Sequence, residues 1–349
     1  MQRMANRAMR RGTRFVLSDR RQRVLQALIE EYIANAQPVG SRTLVDRYRL
    51  GVSPATVRNE LSVLEDEGYL TSPHTSAGRI PTDAGYRAFV DDLLEEEYGD
   101  ETEGTAFDEL RDAASKMDDL MEKTSAALTR LTDCLSVVLA PSLLGTAVKQ
   151  VSLVSFTPYR ALMVVVTDDG QVLDRHVEFA EEVSPDDLAS VQNALNDVLS
   201  GKPMSEVRGM AARRTSDALA SPLGRIVIDE LVECLNAGES DRAHRLGISS
   251  LLNKPEFSNA AAALPVLQVL EDDTVLMHLF DDVAESGNAL EVRIGSENGA
   301  SQLSGVSVVA AQYGPSDSSG IVAVIGPTRM DYSKVINAVR AARSALRDL

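Results

Sequence analysis

Residues 53–68, SPATVRNELSVLEDEG, set small and polar side chains at a spacing suited to contact with nucleic-acid bases. Ser53 followed by Pro54 is a strong helix start, because the hydroxyl caps free backbone amides and proline fits the first helical turn. In that helix Val57, Leu61 and Leu64 fall on one face. Ala55, Asn59 and Ser62 fall on the other, flanked by Thr56 and Arg58. Small side chains permit the close approach that base-edge contact needs. Asparagine pairs bidentately with adenine, and arginine with guanine or phosphate. A solvated outer face on a small helical domain has the same pattern, so spacing alone leaves both readings open.

Three neighbouring stretches carry related chemistry. Ser41 and Arg42 open a short preceding helix and are candidates for contacts to a phosphate backbone. Residues 69–71 and 79–81 read as two short strands around a polar turn, which places His74, Thr75, Ser76 and Arg79 at a hairpin tip and its return strand. Such a tip suits phosphate or a minor groove, and it equally suits an ordinary surface turn. Arginines at 3, 7, 10, 11 and 14 fit an arm that tracks DNA, and they equally fit a disordered tail or an upstream extension included by a wrong start codon.

Other chemistries find little material. The sequence has no GxSxG, Walker A, GxGxxG or HExxH pattern. His74, His176, His244 and His278 are scattered without ligand spacing, which leaves little material for a zinc site. Cys134 and Cys234 form no CxxC and no disulfide framework; Cys134 reads as a packed thiol. Residues 314–320 offer a Gly- and Ser-rich anion loop, but between two strands they read as a hairpin. No pair of carboxylates is singled out by spacing. The expectation is a protein that is not an enzyme and needs no cofactor.

The elements that must hold the candidate residues follow from periodicity. A first helix starts after Ser18, with Val24, Leu25, Leu28, Ile29, Tyr32 and Ile33 as its apolar stripe. A second starts at Ser41 as cap and carries Leu44, Val45 and Tyr48. The third runs to about Gly68. With the hairpin they make a winged helix-turn-helix layout. A fourth helix carries Tyr86, Phe89, Val90 and Leu93. Steps of three and four from Phe107 through Leu128, Leu131 and Leu135 to Val138 predict one long helix ending before Pro141, packed internally or across a dimer. Strands are expected at 151–156, 161–167 and 172–179. A mostly helical block over 184–280 follows, then strands at 290–294, 306–311 and 321–325, and a final helix with Val335, Ile336, Val339, Ala342 and Leu346. That order predicts an α+β body with a helical insertion.

At 349 residues the chain has room for two or three domains. Its net charge of −17 is unevenly spread: residues 1–87 carry +5 and the remainder −22. An anionic partner would therefore bind the basic head. No apolar run is long enough for a membrane helix, and no secretory signal opens the chain. A cytoplasmic protein without a membrane partner is expected.

Several stretches then resemble a known family: LIEEYIANAQPVGSRTL at 28–44, VSPATVRNELSVLEDEGYL at 52–70, HTSAGRIPTDAGYRAFVD at 74–91, GISSLLNKPEF at 247–257, IGSEN at 294–298 and GIVAVIGPTRMDY at 320–332. Together they resemble the bacterial heat-inducible transcription repressors (HrcA). The resemblance implies a winged-helix DNA-binding domain at 18–98 after a basic extension at 1–17, a linker at 99–104, a GAF-like domain at 105–182 and 266–349, and an inserted dimerisation domain at 183–265. It implies repression of chaperone genes by a homodimer on an inverted-repeat operator of double-stranded DNA, with activity dependent on the chaperonin. Ser41, Arg42, Ser53, Ala55, Thr56, Arg58, Asn59, Ser62, His74, Ser76 and Arg79 are then the expected DNA contacts. An alternative is a metabolite-responsive repressor with a small effector in the GAF-like domain. A hydrolase fused to a DNA-binding head would need converging ionisable groups that the sequence does not offer.

Overall fold

The computed structural model describes residues 17–74, 78–95, 107, 117–141, 143–168, 170–210, 217–240, 243–271, 280, 290–299, 301–314 and 319–347. Helix α1 (Asp19–Asn35) is capped by Ser18, whose Oγ accepts from Arg21 N at 3.4 Å. It ends where Ala36 turns left-handed and its N–H reaches Tyr32 O. Helix α2 (Ser41–Arg47) starts one residue earlier than expected: Gly40 is the cap position and Ser41 lies within the helix. Helix α3 (Pro54–Asp66) begins as predicted, with Ser53 Oγ accepting from Thr56 N at 3.2 Å. Val57, Leu61 and Leu64 are buried where α3 packs on α1 and α2, a burial worth about 1.5–3 kcal/mol per side chain.

Strands β1 (Leu70–Thr71) and β2 (Ile80–Pro81) pair antiparallel. Beyond them Arg79 and Val39 exchange both backbone hydrogen bonds at 2.9 Å. Gly78 is required there, since a Cβ would collide with the Val39 backbone. Helix α4 (Asp83–Glu95) buries Tyr86, Phe89 and Val90.

The expected long helix is shorter than its apolar spacing predicts. Helix α5 (Met117–Thr132) stops where Asp133 adopts a left-handed φ of 50°, and Leu135–Leu139 is strand β3, buried at every position. Leu-Ser-Val-Val-Leu is a continuous apolar, β-branched run suited to a strand covered on both faces. Leu135 and Val138 match helical steps of three and four by coincidence.

Strand β4 (Val148–Thr157), β5 (Arg160–Thr167) and β6 (Val172–Glu178) form a three-stranded antiparallel meander. Helices α6 (Pro185–Leu199), α7 (Met204–Met210), α8 (Asp217–Ala220) and α9 (Pro222–Ser240) follow. One apolar core joins this sheet to its helices, including Val151, Met163, Val165, Leu188, Val191, Leu195, Val227 and Leu231. The outer edge of β4 is met by amide side chains of α6. Val151 N donates to Asn196 Oδ1 and Asn196 Nδ2 donates to Val151 O, both at 2.8 Å, while Leu153 N donates to Gln192 Oε1 at 2.7 Å.

Strand β7 (Ala243–Leu246) interrupts the block read as helical. Helices α10 (Ile248–Leu252) and α11 (Ala260–Glu271) come next, then β8 (Glu291–Ile294), β9 (Val306–Tyr313), β10 (Gly320–Pro327) and α12 (Tyr332–Ala345). A second, five-stranded sheet has the order β7–β3–β10–β9–β8, so the six strands foreseen in the body divide between two sheets. Val335, Ile336, Val339, Ala342 and Leu346 are buried, as their periodicity predicts.

The chain forms two compact units. One comprises residues 1–99, 292–307 and 326–334; the other comprises 100–291, 308–325 and 335–349.

Candidate nucleic-acid interface

The first unit holds every predicted contact residue that the structure describes. On α3, Ala55, Arg58, Asn59 and Ser62 are exposed, opposite the buried Val57, Leu61 and Leu64. Thr56 is half-buried and belongs to the cap, with its Oγ1 3.0 Å from Ser53 Oγ. Ser62 Oγ donates to Arg58 O at 3.1 Å, which keeps that hydroxyl close to the helix barrel. Arg42 is exposed on the first turn of α2, Ser41 beside it is half-buried, and His74 is exposed at the end of the described part of the hairpin. Ser76 lies outside the described residues.

Ion pairing sorts the arginines of this unit. Glu60, on the inner side of α3 and 7% exposed, accepts from Arg20 Nε at 2.7 Å and from Arg21 Nε at 3.3 Å. Arg21 also reaches Glu67 at 3.0 Å, and Arg47 pairs with Glu31 at 2.6 Å. Arg79 Nη2 lies 2.7 Å from Glu65 Oε2. That contact changes the expectation for Arg79, whose charge is already committed within the head. Arg23, Arg42, Arg49 and Arg58 are exposed and have no protein partner among the described residues. Arg49, in the loop joining α2 to α3, was not singled out by the sequence. It is exposed, between Tyr48 and the Gly51 turn.

Of the acids that hold the paired arginines, Glu31 and Glu60 are buried, Glu65 is half-buried and Glu67 is exposed. Tyr48 is pushed up by burial and then by Glu30 and Glu31, so it remains a neutral phenol beside Arg47. A guanidinium without a protein partner, such as that of Arg58 on α3, can release counterions on meeting phosphate, and an exposed asparagine amide such as that of Asn59 is of a type that can pair with a base edge. Among the described residues no group of three or more His, Cys, Asp or Glu could hold a metal ion. No helix of the described residues is long and apolar enough to cross a membrane.

Residues 118–336 match the family described as HrcA protein C terminal domain. A heat-inducible transcription repressor HrcA from a Nocardioides species is 40% identical over 326 residues, covering 93% of this chain and 96% of that one. The Streptomyces avermitilis protein of the same name is 38% identical over 331 residues, with 93% and 96% covered. The chain belongs to the HrcA family of heat-inducible transcription repressors. A solved structure titled as a hypothetical protein has a TM-score of 0.65 at 24% identity over 95% of this chain and 98% of that one, so this HrcA-family chain shares its mixed α/β fold. A match over 93% of the chain is too long to leave out α3, so the exposed face of that helix lies within the part shared with named HrcA repressors.

Proposed function

We propose that residues 18–98 are a winged helix-turn-helix whose α3 enters the major groove, and that the chain represses heat-shock genes as a dimer on an inverted-repeat operator. The observation that carries this reading is the exposed, unpartnered pair Arg58 and Asn59 on α3, with Arg42 and Arg49 as free cations in the same head. An inverted repeat presents the same edges twice, which demands a two-fold protein. The protein acts in the cytoplasm, where its DNA lies, and carries out no chemical conversion.

On this reading the body divides into a GAF-like part and an inserted dimerisation part, expected at 183–265. The core that runs without interruption from Leu143 to Leu235 supports counting β4–β6 with the inserted part. The outward face of that sheet supports dimerisation. Val154 and Phe156 on β4, Tyr159 in the following turn and Val172 on β6 are about half exposed, an apolar surface unusual for a face left in water. The chaperonin is the proposed regulator, through its supply of folded dimer.

The test is a gel shift with the promoter of the host's chaperonin gene. The wild-type chain should retard the inverted repeat and leave a scrambled duplex free. Asn59→Ala should cost about 1–3 kcal/mol and relax the preference at one base pair per half-site. Unaltered affinity and unaltered base preference would remove Asn59 from the interface.

A further inference from the structure

The stretch from Gln192 to Lys202 closes one edge of the three-stranded sheet group by group. In that sheet β4 is bonded on one side only, to β5. Its other side presents backbone N–H and C=O groups that need partners. At the start of the strand the partners are backbone: Val148 N donates to Lys202 O at 2.9 Å, and Gly201 N donates to Val148 O at 2.8 Å. From there they are side chains. Ser200 Oγ donates to Lys149 O at 3.4 Å. Asn196 accepts from Val151 N at its Oδ1 and donates to Val151 O from its Nδ2, both at 2.8 Å. Gln192 Oε1 accepts from Leu153 N at 2.7 Å.

The spacing explains how a helix can do this. Gln192, Asn196 and Ser200 recur every four residues in α6 and its cap, while Lys149, Val151 and Leu153 recur every two on β4. Four helical residues rise about 6 Å and two strand residues about 6.8 Å, so the helix keeps step with the strand over three positions. The Asn196 amide carries the donor and acceptor of a peptide group. It exchanges both bonds with Val151, as the facing residue of an antiparallel strand would. Its second amide hydrogen goes to Gln192 O at 3.0 Å, which fixes the group. The apolar stripe of α6, Leu188, Val191, Leu195 and Leu199, is buried in the core and seats the helix. Gln192 and Asn196 flank that stripe and are half-buried, so the core itself requires an amide at neither position.

We propose that Gln192 and Asn196 are edge-guarding residues: they stand in for a neighbouring strand and keep β4 from pairing with β4 of a second copy of the chain. The covered strand suits that partner. Residues 148–157, VKQVSLVSFT, hold β-branched, aromatic and small polar side chains, one charge, and no proline or glycine, a composition that favours pairing between like segments. Two copies set antiparallel about Ser152 bring Val151 opposite Leu153 of the second copy, through the same outward backbone groups that α6 now occupies. Lys149 then faces Ser155, and no like charges are opposed. Val154 and Phe156 on this strand are about half exposed, so an added strand gains apolar burial as well as backbone bonds. The edge is a different surface from the outward face of the sheet, which remains available to the native dimer.

The experiment compares the full chain with two variants. One is the double variant Gln192→Leu with Asn196→Leu. The other is Asn196→Asp, which keeps the acceptor for Val151 N, loses the donor to Val151 O, and carries the test if the two leucines prevent folding. Sedimentation velocity and thioflavin T fluorescence are followed over a concentration series, with far-UV circular dichroism to report the fold. The variants should keep the native circular dichroism and form strand-rich assemblies larger than the wild-type species. These should appear at concentrations roughly tenfold or more below any at which the wild type assembles. Adding Ser155→Lys sets a lysine against Lys149 of the facing copy and should dissolve the assemblies while leaving the wild-type size. Folded variants that sediment as wild type at every concentration overturn the guard. So do assemblies that Ser155→Lys leaves intact, since those form through another surface. Loss of the native circular dichroism in both variants overturns it too, because the amides would then be needed to fold the sheet rather than to close it.

Discussion

Glu65 on α3 and Arg79 at the entry to β2 meet at 2.7 Å, and Glu65 also accepts from Ser72 Oγ at 2.7 Å. One carboxylate thus ties both strands of the hairpin to the helix proposed to read DNA. The hairpin has only two paired residues on each strand, too few to hold a fixed direction unaided. Arg79 therefore acts first as a brace.

That assignment separates two classes of arginine by their salt response. A cation that is free before binding releases a counterion when it meets phosphate, whereas one already neutralised by a carboxylate releases less. Arg42→Ala should weaken binding to all sequences and lower the slope of log K against log salt by about one. Arg79→Ala should change that slope less. Operator titrations between about 50 and 200 mM salt measure both. Equal slope changes would return Arg79 to the phosphate contacts.

The head was largely legible from sequence because its signals are local. Ser53-Pro54 marks a helix start by cap chemistry, and Val57, Leu61 and Leu64 mark the inner face by spacing. The brace between Glu65 and Arg79 was not legible, since the two residues are brought together by the fold of a turn and neither advertises its partner. The run after Thr132 misled for a different reason. Leu135 and Val138 fit a helical seam, but the decisive facts are the left-handed Asp133 and the pairing of β3 with β10 and β7. Those partners lie more than 100 residues away, and no local spacing records them. The same holds for Arg87, which donates to Glu297 across 210 residues of chain.

Glu60 gives a test of how α3 is seated. Its carboxylate is buried and serves both Arg20 and Arg21. Removing one partner of a buried charge pair costs about 3–5 kcal/mol, but Arg20 is half exposed, and solvent lowers the value to about 1–2 kcal/mol here. Glu60→Ala should accordingly speed amide exchange in α1 and α3 by roughly tenfold or somewhat more, since 1.4 kcal/mol is a factor of ten. Asp66→Ala, which removes an exposed acid without a described partner, should leave those rates unchanged. Unaltered exchange in the Glu60 variant would mean that apolar packing alone seats the helix.

Dimerisation can be tested on the outward face of β4–β6. Phe156 is 57% exposed and its ring lies 6.1 Å from that of His176. Its side chain contributes nothing to the core on the other side of the sheet, where Val151, Met163 and Val165 are fully buried. Phe156→Asp should therefore leave far-UV circular dichroism and thermal unfolding unchanged while sedimentation shows monomers. The monomer should bind a half-site with weak, salt-sensitive affinity. Persistence of the dimer would place the interface elsewhere. The apolar spacing that pointed to α5 is a poor substitute, because Leu128 is buried and Leu135 sits in a central strand.

The final expectation concerns heat. Both cysteines are buried and free. Burial pushes the Cys134 thiol up to about 11 and raises that of Cys234 as well. Folded protein should therefore show almost no thiolate at pH 7–8, and alkylation should report opening of the second unit. The sign follows from the same shift. Cys134 loses its thiol proton near 9 in the unfolded chain and only near 11 in the folded one, so stability from this source is intact below pH 9 and declines across that interval. At neutral pH heat is the remaining variable, and domains held by about 5–15 kcal/mol lose folded population steeply over a modest rise. A mild heat pulse should raise alkylation of Cys134 and Cys234 and abolish operator binding together. Chaperonin with ATP should then restore binding and thiol protection in parallel, as expected if folded dimer is the regulated quantity. Full recovery without chaperonin would sink this mechanism, as would binding that returns only when a small metabolite is added.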